Sequence, residues 1–139
     1  PFLDQIKNVL GNRFSNKRDF NILQRDILSS GKIVIQNSRY KEVTRRIFEG
    51  MYCNRMVITD RLSEDRGLEL LFKDGEDIVY YDSLEDAIDK INYYSKNEKE
   101  RLRIANNGYQ KVLNNHTTIQ RLDSVLNNYY EFRNRNNNI

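Results

Sequence analysis

The 139 residues carry 23 Lys and Arg against 20 Asp and Glu, a net charge of +3, with 38% hydrophobic residues and a mean hydropathy of −0.81. That length makes one domain whose core comes from a few well-placed apolar stretches, and charges mixed along the chain argue against a nucleic-acid partner, which draws them together. A single Cys (Cys53) and a single His (His116) exclude an intramolecular disulfide and a Cys- or His-cluster metal centre. No run approaches the ~18 apolar residues of a membrane helix, so the expectation is a cytoplasmic protein without an integral membrane segment. The chain starts at Pro1, which leads us to expect a piece of something longer.

Phe2, Leu3, Ile6 and Leu10 share one helix face, and Gly11 marks its end. A short helix is predicted over Phe20 to Leu28, before Ser29, Ser30 and Gly31 break it. Three short runs then read as buried strands: KIVIQ (32 to 36), RMVIT (55 to 59) and DIVYY (77 to 81). They lack strict alternation and have helical patterns between them, so they predict parallel strands with both sheet faces covered, an α/β architecture in three layers.

From Leu84 the positions Leu84, Ala87, Ile88, Ile91 and Tyr94 follow helical spacing, with Asp82 and Glu85 read as the cap. Asn97 is expected to cap a helix carrying Leu102, Ala105, Tyr109 and Val112. Thr117 with Gln120 makes a capping-box signature for a last helix bearing Leu122, Val125 and Tyr129. The domain is thus predicted over 1 to 130, and the polar, Asn-rich residues 131 to 139 are expected to fray.

A further helix, predicted over Glu42 to Cys53, puts Val43, Ile47 and Met51 on one side and Glu42, Arg45, Arg46 and Glu49 on the other. Local pattern alone makes that charged stripe a solvated face laced by ion pairs. Topology offers a second reading, because open parallel sheets bind ligands beyond the carboxyl ends of their strands. The loop QNSRYK after the first strand is such a place. Its backbone N–H groups and Ser38, with Arg39, Arg45 or Arg46 nearby, can hold a phosphate, while a carboxylate one turn further can accept hydrogen bonds from a ribose diol. Asp60 and Arg61 end the second strand at the same edge, and Gly67 either offers N–H groups to ligand or is a plain loop glycine. Cys53 and His116 read as packing residues. Gly75 makes DGED (74 to 77) a turn rather than a metal site.

The motifs R-x-F-E-x-x-x-C (Arg46 to Cys53), MVITD, G-L-E-L-L-F-x-x-G-E-D-I-V-Y, E-D-A-I-x-K-I-x-Y-Y, E-R-x-x-I-A-x-x-G-Y and H-T-x-x-x-R follow one another in an order that resembles the C-terminal half of group 1 glycosyltransferases of the GT-B type. The branch related to the spore-maturation protein CgeB is the most similar, and the matched stretch covers about 31 to 121. The resemblance implies a Rossmann-like domain that binds a nucleotide-sugar donor, a partial GT-B C-terminal domain. Glu49 would bind the ribose, and Arg46 or Arg45 would face the diphosphate, offsetting charge on the leaving group without a metal or other cofactor. An N-terminal acceptor-binding domain or partner chain is then expected, and the isolated chain should transfer sugar poorly. Two departures stand out: Lys41 occupies a position where relatives carry a glutamate, with Glu42 one residue out of register, and Asn54 replaces a glycine. The competing class is a non-catalytic α/β interaction module, with a basic RNA-binding domain as a weaker third.

Overall fold

The computed structural model describes residues 2–16 and 24–136. At its centre lies a parallel sheet in the order β1 (Ile33–Gln36), β2 (Met56–Asp60), β3 (Val79–Tyr81). Ile33 pairs with Met56 and Gln36 with Thr59, while Ile58 pairs with Val79 and Asp60 with Tyr81. All three predicted strands are present, with ends shifted by a residue or two.

Because side chains alternate across a strand, the apolar runs feed two separate cores. On one face Met56, Ile58, Val79 and Tyr81 pack with Ile6 and Leu10 of α1 (Phe2–Leu10) and with Ala87 and Ile91 of α5 (Leu84–Lys96). On the other, Val34, Val57, Ile78 and Tyr80 pack with Ile47 and Met51 of α3 (Arg45–Tyr52), with Leu68 of the short α4 (Leu68–Leu71), and with Phe72. The result is the expected α/β sandwich of three layers. Burial on both faces is what the unbroken β-branched character of the strands requires.

The long helix α6 (Glu98–Asn115) serves both cores, giving Ile104 and Ala105 to one and Val112 to the other. It can do so because Gly108 lets it lie against the chain entering β3: a Cβ there would sit 2.6 Å from the Asp77 carbonyl oxygen. Arg103 and Asn107 donate to the Gly75 and Glu76 carbonyls and fasten the same crossing. DGED is a turn, with Gly75 at φ +69° and its N–H donating to Ile78 O.

Several boundaries differ from the sequence expectation. Of the short helix predicted over Phe20 to Leu28, the described part is α2 (Gln24–Ser30); its first residues lie outside the described ones. The central helix starts at Arg45 rather than Glu42, because Lys41 adopts φ +51° and Ser38 Oγ captures the Glu42 N–H at 2.6 Å. Glu42 therefore belongs to the loop and drops out of the charged stripe. The cap of α5 is Ser83, whose Oγ accepts from the Asp86 N–H, while the Asp86 carboxylate accepts from the Asp82 N–H, so the capping arrangement falls one residue later than expected. Asn97 holds the N-cap position of α6, yet its side chain donates back to Tyr93 O. The Thr117–Gln120 box forms reciprocally. Helix α7 (Thr118–Asn136) runs well into the segment expected to fray.

Candidate functional site

The carboxyl ends of the strands are tied to one another before any ligand is considered. Tyr81 Oη donates to Gln36 O at 3.0 Å and accepts from Asn37 Nδ2 at 2.9 Å, so the end of β3 reaches across β2 to the end of β1. Burial pushes the Tyr81 phenol up from its ordinary value, which keeps it a neutral donor for that bridge.

Beside it, Asp60 is only 3% exposed. Its Oδ1 accepts the Ser38 N–H at 2.8 Å, and Lys41 Nζ lies 3.0 Å from Oδ2. A buried carboxylate must be met by donors in this way. Asp60, expected to touch ligand, thus spends its lone pairs on the loop instead, and Ser38 spends its N–H on Asp60. Spacing does not point to Lys41 as the partner. The signal the sequence does hold is an acidic residue closing a strand buried along its length, which has to be paired with something.

Arg61 departs furthest from expectation. Its Nε donates to Asp82 at 3.0 Å, one terminal nitrogen to Asp74 at 2.9 Å and the other to Glu69, while the guanidinium lies 5.1 Å from the centre of the Tyr80 ring. Burial pulls its pKa down, but the bonds to Asp74, Glu69 and Asp82 outweigh burial and raise it. One cation among three carboxylates leaves a locally negative patch, which repels a phosphate. Gly67, at φ +70°, donates its N–H to Glu64 O and so closes a turn rather than offering that group to ligand.

The remaining candidates gather at the start of α3. Thr44 takes the N-cap position in an extended conformation, but its side chain makes no capping bond, and its Oγ1 is buried without a hydrogen-bond partner among the described residues. The Ile47 N–H donates to the Thr44 carbonyl at 3.2 Å, so the missing side-chain cap leaves the Arg45 and Arg46 N–H groups to solvent or to an anion, at the positive end of the helix dipole. Arg45 Nε pairs with Glu49 Oε1 at 2.8 Å; the Arg45 side chain is 85% exposed and that of Glu49 29%. Both line a groove of about 590 Å³ whose walls include Phe48, Tyr52, His116 and Ile119. Arg46 is exposed and lines a second cavity, of about 520 Å³, that follows β1 past Ser30, Gly31 and Ile33 to Ile35. Arg39 is exposed, with its guanidinium 5.5 Å from the Tyr40 ring centre. Arg45, Arg46 and Glu49 are therefore neighbours on one helix, opening onto two adjoining recesses.

His116 packs edge-on against Phe48 and Phe72, and burial holds its pKa below the ordinary value, with Arg121 adding to the effect. Its Nδ1 is buried without a hydrogen-bond partner among the described residues. The packing role expected of it fits this place. Among the described residues no cluster of three or more His, Cys, Asp or Glu side chains is arranged to hold a metal ion, and no helix is long and apolar enough to cross a membrane.

A profile of the family described as Glycosyl transferase-like matches residues 8–127. The chain belongs to that family. Solved structures agree on the fold of this glycosyl transferase-like domain. A glycosyltransferase from Rickettsia africae ESF-5 superposes with a TM-score of 0.68 at 20% identity, covering 92% of this chain and 35% of that one. Anabaena Alr3699/HepE in complex with UDP gives 0.67 at 16% identity, covering 78% of this chain and 30% of that one. The C-terminal domain of the group 1 glycosyl transferase LpcC from Francisella tularensis gives 0.64 at 20% identity, covering 83% of this chain and 60% of that one. The glycosyl transferase-like domain thus has the fold of the C-terminal part of GT-B glycosyltransferases, and it spans about a third of the HepE and Rickettsia chains. No match was found among curated proteins.

Proposed function

We propose that this chain is the donor-binding portion of a GT-B glycosyltransferase, of the CgeB-like branch, that transfers a sugar from a nucleoside-diphosphate sugar. One observation carries the reading: Arg45, Arg46 and Glu49 stand together on the first two turns of α3, directly after a helix start whose N–H groups lack a side-chain cap. The HepE complexes, which share this fold, hold UDP and UDP-glucose.

Glu49 supplies the acceptor pair for a ribose diol. The Arg45–Glu49 contact leaves that role open, because an (i, i+4) pair whose arginine is exposed is worth only a few tenths of a kcal/mol and lets that arginine turn to a ligand. Once Arg45 swings toward a diphosphate, it and Arg46 offset the charge that grows on the leaving nucleoside diphosphate as the glycosidic bond to the sugar breaks. No step of this scheme is routed through a metal or other cofactor. Asp60 and Gly67 shape the surroundings and make no contact with donor, and Arg61 stays in its carboxylate cluster.

An N-terminal acceptor-binding domain, or a partner chain, completes the enzyme. The support is α7, which has no buried residue and carries Ile119, Leu122, Val125, Leu126, Tyr129 and Phe132 at 42–73% exposure. Such a stripe is an interface waiting for its other half. A charged, water-soluble donor suits an enzyme that works in the cytoplasm.

Calorimetry with UDP, GDP and their sugar conjugates tests the proposal. Micromolar to millimolar binding that weakens in Glu49→Gln and Arg46→Met is expected. No heat at millimolar nucleotide turns the reading toward a non-catalytic interaction module built on the same fold.

A further inference from the structure

The loop from Asn37 to Thr44 lies outside helix and strand, yet it decides where α3 begins. It is hung from one side chain. The Asp60 carboxylate, buried at the end of β2, accepts the Ser38 N–H at 2.8 Å and holds Lys41 Nζ at 3.0 Å. Ser38 Oγ then accepts the Glu42 N–H at 2.6 Å, which carries the constraint almost to Thr44, the N-cap residue of α3.

Lys41 holds a backbone conformation, φ +51°, that residues with a Cβ avoid, and a contact that offsets this cost has to come from elsewhere in the fold. Its side chain is 63% exposed, so solvent alone gives it no reason to fold inward, and the buried Asp60 does. The two features need each other: a carboxylate that requires a cation, and a strained residue that delivers one.

We propose that Asp60, acting through Ser38 and Lys41, is the positioning residue of the donor site, latching the β1–α3 loop so that Arg45, Arg46 and Glu49 are presented together. This rests on the donor-binding reading above. Asp60 itself stays out of ligand contact, and the latch is set before the donor arrives.

The test pairs two measurements on the chain: amide hydrogen exchange resolved by residue without ligand, and UDP affinity by calorimetry. In Asp60→Ala, which removes both acceptor oxygens, the Ser38 and Glu42 amides should exchange at least tenfold faster while the Ile58 and Val79 amides keep their protection, and UDP affinity should fall at least tenfold. Lys41→Ala should move both readouts in the same direction by less, and Lys41→Arg should restore both. That restoration separates a latch from general destabilisation. If Asp60→Ala loses strand protection as well, the Lys41 pair decides. Variants that free the Ser38 amide yet bind UDP like the wild type overturn the positioning role and leave the donor reading standing. A wild-type chain that binds no UDP removes both, and unchanged Ser38 exchange in Asp60→Ala and Lys41→Ala shows that there is no latch.

Discussion

Arg45 Nε lies 2.8 Å from Glu49 Oε1, one turn apart on α3 and at the rim of a groove. The pair is exposed on the arginine side, so breaking it costs the fold little. Glu49→Gln should leave stability within about 0.5 kcal/mol of wild type, as expected for exposed (i, i+4) pairs. The loss of a charged acceptor for a ribose diol should instead weaken UDP by about 1.5–3 kcal/mol, roughly 10- to 150-fold. Parallel melting and calorimetry separate the two effects.

Arg61 answers the opposite way. Its guanidinium bridges Glu69, Asp74 and Asp82, and Arg61→Met leaves three carboxylates near one another with no cation between them. The cluster is partly exposed, so the loss of stability should be about 1 kcal/mol, larger than an ordinary surface substitution and smaller at high salt. UDP affinity should be unchanged. Melting at low and high ionic strength checks the first point, and calorimetry the second.

His116 gives the fold a pH dependence. Its folded pKa lies below the unfolded value because burial disfavours the imidazolium. Between the two values the unfolded chain binds more protons, so this contribution is fully present above about pH 6.5 and is lost as pH falls through the folded pKa. The thermal midpoint should drop as pH is lowered from neutral through that range, and part of that drop should vanish in His116→Phe, which keeps an aromatic ring between Phe48 and Phe72.

Helix α7 buries none of its residues, so polar substitutions along its stripe should be nearly free. Leu122→Ser with Tyr129→Ser should change stability by less than about 0.5 kcal/mol, the range of surface changes. The same double variant should show reduced dye binding to exposed apolar surface and less concentration-dependent association in sedimentation.

Much of the fold is legible in the residues. The strands announce themselves because β-branched runs too short for helices, such as Met56 to Thr59, have few alternatives. The Thr117–Gln120 box is a purely local device and can be read locally. The start of α3 escapes the sequence because its determinants are distant: Asp60 lies far along the chain from Ser38 and Lys41, and they meet only once β1 and β2 pair. Arg61 misleads for the same reason. A strand-end arginine suggests ligand, and only the fold brings Glu69, Asp74 and Asp82 around it. Glu49 and Arg46 stand out by their motif, and their openness to two recesses is something spacing cannot supply.

The crossing of α6 at Gly108 makes the two sides of the sheet mechanically inseparable. A helix that inserts Ile104 into one core and Val112 into the other, with no room for even a methyl group at the contact, acts as a tie beam through the domain. Melting of either layer should carry the other with it, so chemical denaturation should follow a single transition for probes placed in either core, despite two cores and a thin sheet.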